Sequence, residues 1–416
     1  MASTLAEKQQ GELEPRPGSG AGNRPLPLSG IRVINFGGIW AGSVMGQMMG
    51  DMGAEVIRIE SANRPDINRL QGISNGPLNL GRSMYSATLN TRDPRARELV
   101  LELAGVSDIV ADNYRPGTMQ ASGLGYERLR EVNPTIIALS ASAAGQTGPL
   151  THISTYGSNV SCLGGLDSVQ GHEDIGLVPA GFSITDPLLA SIAVYAMLAA
   201  LRHRERTGEG QFIDLSQWEA TVGLMSGPFL DYVMNGRIHG PMGNRDLMMA
   251  PHGLFPCQGE DRWVSIAVRT DEQWRALCLS MDRPDLAEDR RFADLFLRQR
   301  NWQASHDIVT EWTIQHDRWD LALALQARGV PAFPLFSDED AFRDRHYWER
   351  QAWVKSQHPV VGSKTVFGLP CKLSRTPGTM DLPCPAMGQD NDFVFSGLLG
   401  LSSREVRALA DAKVVY

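Results

Sequence analysis

A chain of 416 residues with 42% hydrophobic and 21% charged side chains is long enough for two or three domains and too evenly balanced for wholesale disorder, collagen-like repeats or coiled-coil fibres. Its net charge of -8 and the lack of a basic stripe exclude an ordinary nucleic-acid binder. Five scattered cysteines (Cys162, Cys257, Cys278, Cys371 and Cys384) show neither metal-ligand spacing nor the even count of a disulfide framework, so a metal-free protein of a reducing cytoplasm is expected.

Residues 1–28 are polar and rich in Pro and Gly, without the apolar run of an export signal, and read as a flexible tail. Residues 31–36 (IRVINF) form a strand, a glycine turn and a helix follow to Met52, and residues 55–60 (EVIRIE) form a second strand. Strand, turn, helix, strand is a βαβ unit with parallel strands. The pattern recurs in a helix opening at Asp93-Pro94, strand 108–114, a short helix at 126–132 and strand 135–141, giving a doubly wound α/β domain over the first 150 residues. The Gly- and Ser-rich stretch 151–182 has no clear period. An apolar helix follows Asp186 and ends near Thr207-Gly208; its most apolar part, Pro187 to Ala200, falls short of the roughly 20 residues of a comfortable membrane span. A buried core helix is therefore expected, and nothing requires a bilayer. Strand 211–215, a hairpin-like stretch from His252, and amphipathic helices near 271–281, 301–315 and 318–328 come next. The expected division is a large α/β domain over 29–225, a small α+β domain over 226–335, and a return to the large domain over 336–416 that ends in a helix with a Ser402–Glu405 capping box.

The turn Gly37-Gly38-Ile39-Trp40-Ala41-Gly42 sits at a helix N-terminus, where free N–H groups favour a phosphate. It breaks the G-x-G-x-x-G fingerprint, which leaves two readings open: a ligand turn, or glycines that let the helix pack on the sheet. Glu60 ends the second strand, where dinucleotide enzymes keep a ribose-binding acid, but that match alone is weak.

Several phrases occur in order: LSGIRVINF, GDMGAEVIRIES, LNTRDPRARELVLELAGVSDIVADNYRPGTMQASGLGYERLREVNPTIIALSASAAGQTGP, ITDPLLASIAVYAMLAALRHRERTGEGQFIDLS and GVPAFP. Together, over about residues 28 to 400, they resemble the class III CoA-transferase family, of the formyl-CoA, carnitine and benzylsuccinate CoA-transferase type. The resemblance implies a Rossmann-like large domain built from both chain ends, a smaller middle domain, and an interlocked dimer. It implies an acyl-CoA and a carboxylic acid as substrates, and no permanently bound cofactor. It also places the catalytic carboxylate at Asp186, in Ile-Thr-Asp-Pro-Leu-Leu. Locally, Asp before Pro is also an ordinary helix cap, and the two roles are compatible. A carboxylate nucleophile attacking a thioester gives a mixed anhydride, then an aspartyl-CoA thioester, and the helix N-terminus favours the developing oxyanions.

The family's α-methylacyl-CoA racemases need a histidine after the glycine that follows the Gly-Gln-x-Gly-Pro motif. Here the motif is Gly145 to Pro149, the following glycine is Gly157, and the next residue is Ser158, which favours transfer. His152 lies slightly earlier, either as a substitute or as a plain loop histidine. The same resemblance places CoA contacts at Ile39, Trp40, Arg82, Asn113, Tyr114 and Arg115. Trp40 can stack on adenine, wall the acyl pocket, or pack in the core. Arg115 can hold a phosphate or lie on the surface, and Arg64 and Arg69 are candidates to replace missing basic positions. In the loop 240–253, Arg245 can pair with a distal carboxylate, while Asp214 and His252 read as structural. The resulting expectation is transfer of CoA from a donor such as succinyl-CoA through Asp186, by a homodimer or a heterodimer with a paralogous subunit. The alternatives are a racemase or isomerase, a non-catalytic partner subunit, or an NAD-linked dehydrogenase, against which the broken glycine pattern speaks.

Overall fold

The computed structural model describes residues 26–70, 80–358 and 362–416. Most of the expected tail, up to residue 25, lies outside the described residues. Leu26 already rests against Gly53, and the Leu28 N–H donates to the Met52 carbonyl. The chain divides into two compact units, one comprising residues 1–166, 180–229 and 346–416, the other 167–179 and 230–345. Segment 167–179, read above as part of the large domain, groups with the second unit. There the Gly243 N–H donates to the Gly171 carbonyl and Arg245 pairs with Glu173.

The first unit is α/β. Its six-stranded sheet comprises β1 (Arg32–Asn35), β2 (Glu55–Glu60), β3 (Tyr85–Thr88), β4 (Ile109–Asp112), β5 (Ile137–Ser142) and β6 (Phe212–Ser216). The spatial order is β3-β2-β1-β4-β5-β6, and every pairing is parallel. Strands buried on both faces read as continuous apolar runs, and successive residues divide between two cores. Val33 and Val56 face one core with Met45, Met49, Leu189 and Ala193. Ile34 and Ile57 face the other with Leu99, Leu103, Val394 and Phe395. Strand β3 was not foreseen in the sequence, since its four residues (YSAT) are too short and polar to stand out. It is an edge strand whose open N–H groups at Ser86 and Thr88 donate to the side chains of Asp390 and Asn391, so the C-terminal return caps the edge.

Two helices cover the first face. Helix α1 (Ala41–Asp51) carries Gly42, Gly46 and Gly50 four residues apart, hence on one side. A Cβ at Gly42 would lie 2.4 Å from Gly37, and one at Gly50 1.9 Å from the Ser83 carbonyl oxygen. The glycines therefore let the helix backbone lie directly on its neighbours. The long helix after the Gly-rich segment, α2 (Thr185–Thr207), has 23 residues because the polar RHRERT turn extends the apolar stretch. By length and composition it could cross a membrane. Leu189, Ala190, Ala193, Met197 and Ala200 pack one face into the core, but only about a third of the apolar stretch is buried and Tyr195 and Leu198 are exposed, so the helix is not buried on most sides as expected.

The second unit holds an antiparallel three-stranded sheet, with Trp263–Ala267 between His252–Pro256 and Ala332–Pro334. Its core gathers Phe255, Val264, Ile266, Trp274, Leu277 and Phe292. Arg298 is fully buried there, donating to the carbonyls of Ala250 and Phe292 and pairing with Asp271.

The close approach of α1 gives a stability test. Gly50→Ala drives a methyl group into the Ser83 carbonyl and should lower the unfolding free energy by about 1–3 kcal/mol in denaturant titration. Gly223→Ala, whose new methyl meets nothing within 4 Å, should leave stability unchanged or raise it by about 0.5–1 kcal/mol.

Candidate active site

In a parallel sheet of this order the connections leave β1 and β4 in opposite directions, opening a crevice beyond their carboxyl ends. That crevice is a cavity of about 140 Å³. After β1 it is lined by Ile39, Trp40 and Ala41; after β4 by Asn113, Tyr114, Arg115 and Pro116. Ser142 at the end of β5, Gln217 after β6, Ser154 to Gly157 and Asp186 also line it. Ile39, Trp40, Asn113, Tyr114, Arg115 and Asp186, all named from the sequence, therefore share one cavity.

The two loops are locked together. The Asn113 carboxamide accepts from the Gly38 N–H at 2.9 Å and donates to the Gly38 carbonyl at 3.1 Å. Ile39 has φ +57°, a conformation that is strained for a β-branched residue. It is held there by Asp66, which accepts the Ile39 N–H at 2.6 Å, and by Asn68, which donates to the Ile39 carbonyl at 2.7 Å. Arg58 donates to the same Asp66 oxygen at 2.6 Å. The kinked turn leaves Trp40 40% exposed beside the cavity rather than in the core.

Asp186 lies in the first turn of α2. Its Oδ2 accepts from Ser183 Oγ at 2.9 Å, and its Oδ1 accepts from Gln217 Nε2 at 2.6 Å. Gln217 opens the helix after β6 and is 7% exposed. Among the described residues the carboxylate has two neutral donors and no ion pair. Gly157 must be glycine at this spot: a Cβ would stand 1.6 Å from Ser183 Oγ and 2.9 Å from Asp186 Oδ1. Ser142 Oγ is buried at the cavity wall with no hydrogen-bond partner among the described residues.

Other sequence candidates lie elsewhere. Arg82 does not line the cavity; it is buried and donates through two nitrogens to Asp51, at 3.2 and 3.0 Å. Arg69 is taken up by Glu60, and the same Glu60 carboxylate accepts from Ser86, so the acid at the ribose position is already engaged. Burial alone would raise the Glu60 carboxyl, but the Arg69 hydrogen bond and the Arg58 charge outweigh it and hold the carboxyl low. His152 is exposed, and no histidine is among the described residues lining the cavity. Arg245, in the second unit, pairs with Glu173 and lies over the Trp302 ring. Asp214 accepts the Gln146 N–H and pins the Gly145 turn. No cluster of His, Cys, Asp and Glu suited to a metal occurs among the described residues. Gln217, Ser183 and Ser142 were missed from the sequence. The signal for Gln217 was its place just beyond the last strand (FIDLS-Q), where this fold puts its ligands.

Beneath the cavity, Asp112 accepts from Ser140 Oγ at 2.6 Å and from the Tyr114 N–H at 2.9 Å. Burial nevertheless pushes its carboxyl from 3.8 to about 6. The folded protein keeps this proton up to about pH 6, while the unfolded chain releases it near 3.8, so stability falls as pH rises through that window and stays reduced above it. Asp112→Asn retains an acceptor for Tyr114 and a partner for Ser140. It should be more stable than the parent by on the order of 2 kcal/mol at about pH 8, with the gain gone near pH 4, in paired denaturant titrations.

The profile of CoA-transferase family III matches residues 28–391. The succinyl-CoA–D-citramalate CoA-transferase of Chloroflexus aurantiacus is 32% identical, over 94% of this chain and 98% of that protein. The alpha subunit of the succinyl-CoA–L-malate CoA-transferase of Chloroflexus aurantiacus is also 32% identical, over 99% of this chain and 97% of its own length. The crystal structure of a CAIB/BAIF family protein from Brucella suis superposes with a TM-score of 0.82 at 28% identity, covering 90% of this chain and all of that one. The profile match runs through the whole parallel sheet, every residue of the cavity and the helix bearing Asp186, and the chain belongs to CoA-transferase family III.

Proposed function

We propose that this enzyme takes CoA from succinyl-CoA and passes it to a dicarboxylic acid, with Asp186 as the covalent carrier. The observation that carries the reading is the seating of Asp186: in a cavity, in the first turn of a 23-residue helix, held by two neutral hydrogen bonds and, among the described residues, by no cation. A carboxylate held by neutral donors is not tied up in an ion pair and can act as a nucleophile, while the helix end favours negative charge developing beside it. The donor follows from the two Chloroflexus relatives, both named for succinyl-CoA and for a short hydroxylated dicarboxylate as acceptor. Arg115, exposed at the cavity rim and bonded to Ser154, is placed to take a CoA phosphate through paired N–H donors. Trp40 and Tyr114 offer exposed aromatic faces for the adenine or the pantetheine arm. Ser142 supplies a hydroxyl for the thioester carbonyl. That no histidine is among the described residues lining the cavity favours transfer over racemisation, because inverting an α-carbon needs a second proton carrier on the opposite face.

We also read the working enzyme as a dimer in the cytoplasm, formed with a second copy or with a paralogous subunit. Helix Ser226–Asn235 supports this: none of its residues is buried, and Phe229, Leu230, Tyr232, Val233 and Met234 are all exposed. One relative is itself named as the alpha subunit of an enzyme.

The test is incubation with succinyl-CoA and a panel of dicarboxylic acids, with each new CoA thioester read by mass spectrometry. The parent should form a new thioester with at least one acid. Asp186→Ala should lose transfer by about 10⁴-fold or more while still binding CoA. Full-rate transfer by Asp186→Ala would overturn the covalent role. A purified chain that binds CoA yet transfers nothing until a paralogous subunit is added would instead show that the active assembly is heteromeric.

A further inference from the structure

We infer that Gln217 is a catalytic residue: its side-chain amide is the fixed donor to the Asp186 oxygen that carries negative charge when CoA thiolate attacks the aspartyl carbon. The inference rests on the covalent role of Asp186 just proposed. The orientation of the amide follows from its neighbours. An ionised carboxylate only accepts, so the group facing Asp186 Oδ1 at 2.6 Å is the NH₂ of Gln217. The same nitrogen lies 3.3 Å from Thr185 Oγ1, whose own proton goes to the Gly157 carbonyl at 2.9 Å, so Thr185 also acts as an acceptor. Both amide hydrogens are thus aimed, and with Gln217 at 7% and Thr185 at 0% exposure neither group has room to turn. The donor to the other oxygen is different. Ser183 offers a single rotatable hydroxyl on a half-buried residue before the helix.

This asymmetry assigns the two oxygens. The Ser183 hydroxyl swings away and frees Oδ2, whose lone pair forms the bond to the acyl carbon of the donor. The C–S bond breaks and CoA leaves as thiolate, giving the mixed anhydride. The thiolate then attacks Cγ, and the pair from the Cγ–Oδ1 double bond moves onto Oδ1, where the Gln217 amide meets the charge without rearranging. Collapse re-forms that double bond and breaks Cγ–Oδ2. The donor acid leaves as a carboxylate and the aspartyl-CoA thioester remains. One negative charge is present throughout. Gln217 therefore serves attack at Cγ rather than attack at the acyl carbon.

The experiment compares the parent, Gln217→Leu, Gln217→Glu and Asp186→Ala, each checked for a parent-like melting transition. Gln217→Leu should lose about 10²–10³-fold in kcat, with KM for succinyl-CoA within about threefold of the parent. Given succinyl-CoA without acceptor, the parent should be recovered carrying CoA on Asp186. Gln217→Leu should stall one step earlier and release a burst of free CoA thiol matching the number of sites. Gln217→Glu keeps the shape and is read even if the leucine variant fails to fold. Its activity should be low near neutrality and recover toward acid, where a protonated carboxyl donates again; a role in packing alone gives no such recovery. If Asp186→Ala is inactive while Gln217→Leu, or the folded Gln217→Glu near neutrality, runs within about threefold of the parent, this inference fails and the covalent reading stands. If Asp186→Ala itself is active, the covalent reading fails first.

Discussion

A carboxylate that is to attack a thioester must be held in place without being neutralised. An arginine partner would fix it and at the same time spend its charge; free solvent would leave it mobile and strongly hydrated. In the role proposed for Asp186, two neutral donors and the end of a long helix would meet both requirements. The surrounding choices follow from that seat. Gly157 has no side chain because a Cβ would strike Ser183. Thr185 is fully buried because it passes the constraint from the Gly157 carbonyl to the Gln217 amide.

The cavity is a consequence of strand order, and its walls are set by buried polar groups at the carboxyl edge of the sheet. Asn113 clasps Gly38 across the reversal, and Asp66, steadied by Arg58, holds the strained Ile39. Side by side with this lies a second buried set, in which Glu60 takes Arg69 and Ser86. Buried charges are retained only when paired and hydrogen-bonded, so these groups serve to fix loop positions more than to add net stability. That is why Trp40, a large apolar residue, stays out at the cavity instead of collapsing into either core.

Much of the fold could be read from the sequence, because apolar runs, glycine turns and caps are local signals. The βαβ starts at Arg32 and Glu55, the Asp93 cap and the Ser402–Glu405 box all lie where the pattern puts them. Strand β3 escaped because its four-residue run is short and polar; it is held by pairing with β2 and by Asp390 and Asn391 from the far end of the chain, long-range partners with no local mark. The site divides the same way. The residues named by resemblance to a family include Asp186 and the two loops, which share the cavity, and Arg82, which lies outside it with its guanidinium on Asp51. Gln217 carries no motif of its own beyond its place just after β6, and its contact with Asp186 shows only in the assembled sheet. Of the turn Gly37 to Gly42, left open between a ligand turn and a packing role, Gly42 serves packing, as do Gly46 and Gly50 further along α1, while Ile39, Trp40 and Ala41 line the cavity.

The most direct measurement follows oxygen through Asp186. When an acceptor acid labelled with heavy oxygen in its carboxylate is turned over with succinyl-CoA, one labelled oxygen should remain on the enzyme each time the aspartate is regenerated. Mass spectrometry of the peptide containing Asp186 should then show exchange of a single carboxylate oxygen, dependent on both substrates. Sustained CoA transfer with Asp186 still unlabelled would contradict a covalent aspartate and with it the central claim.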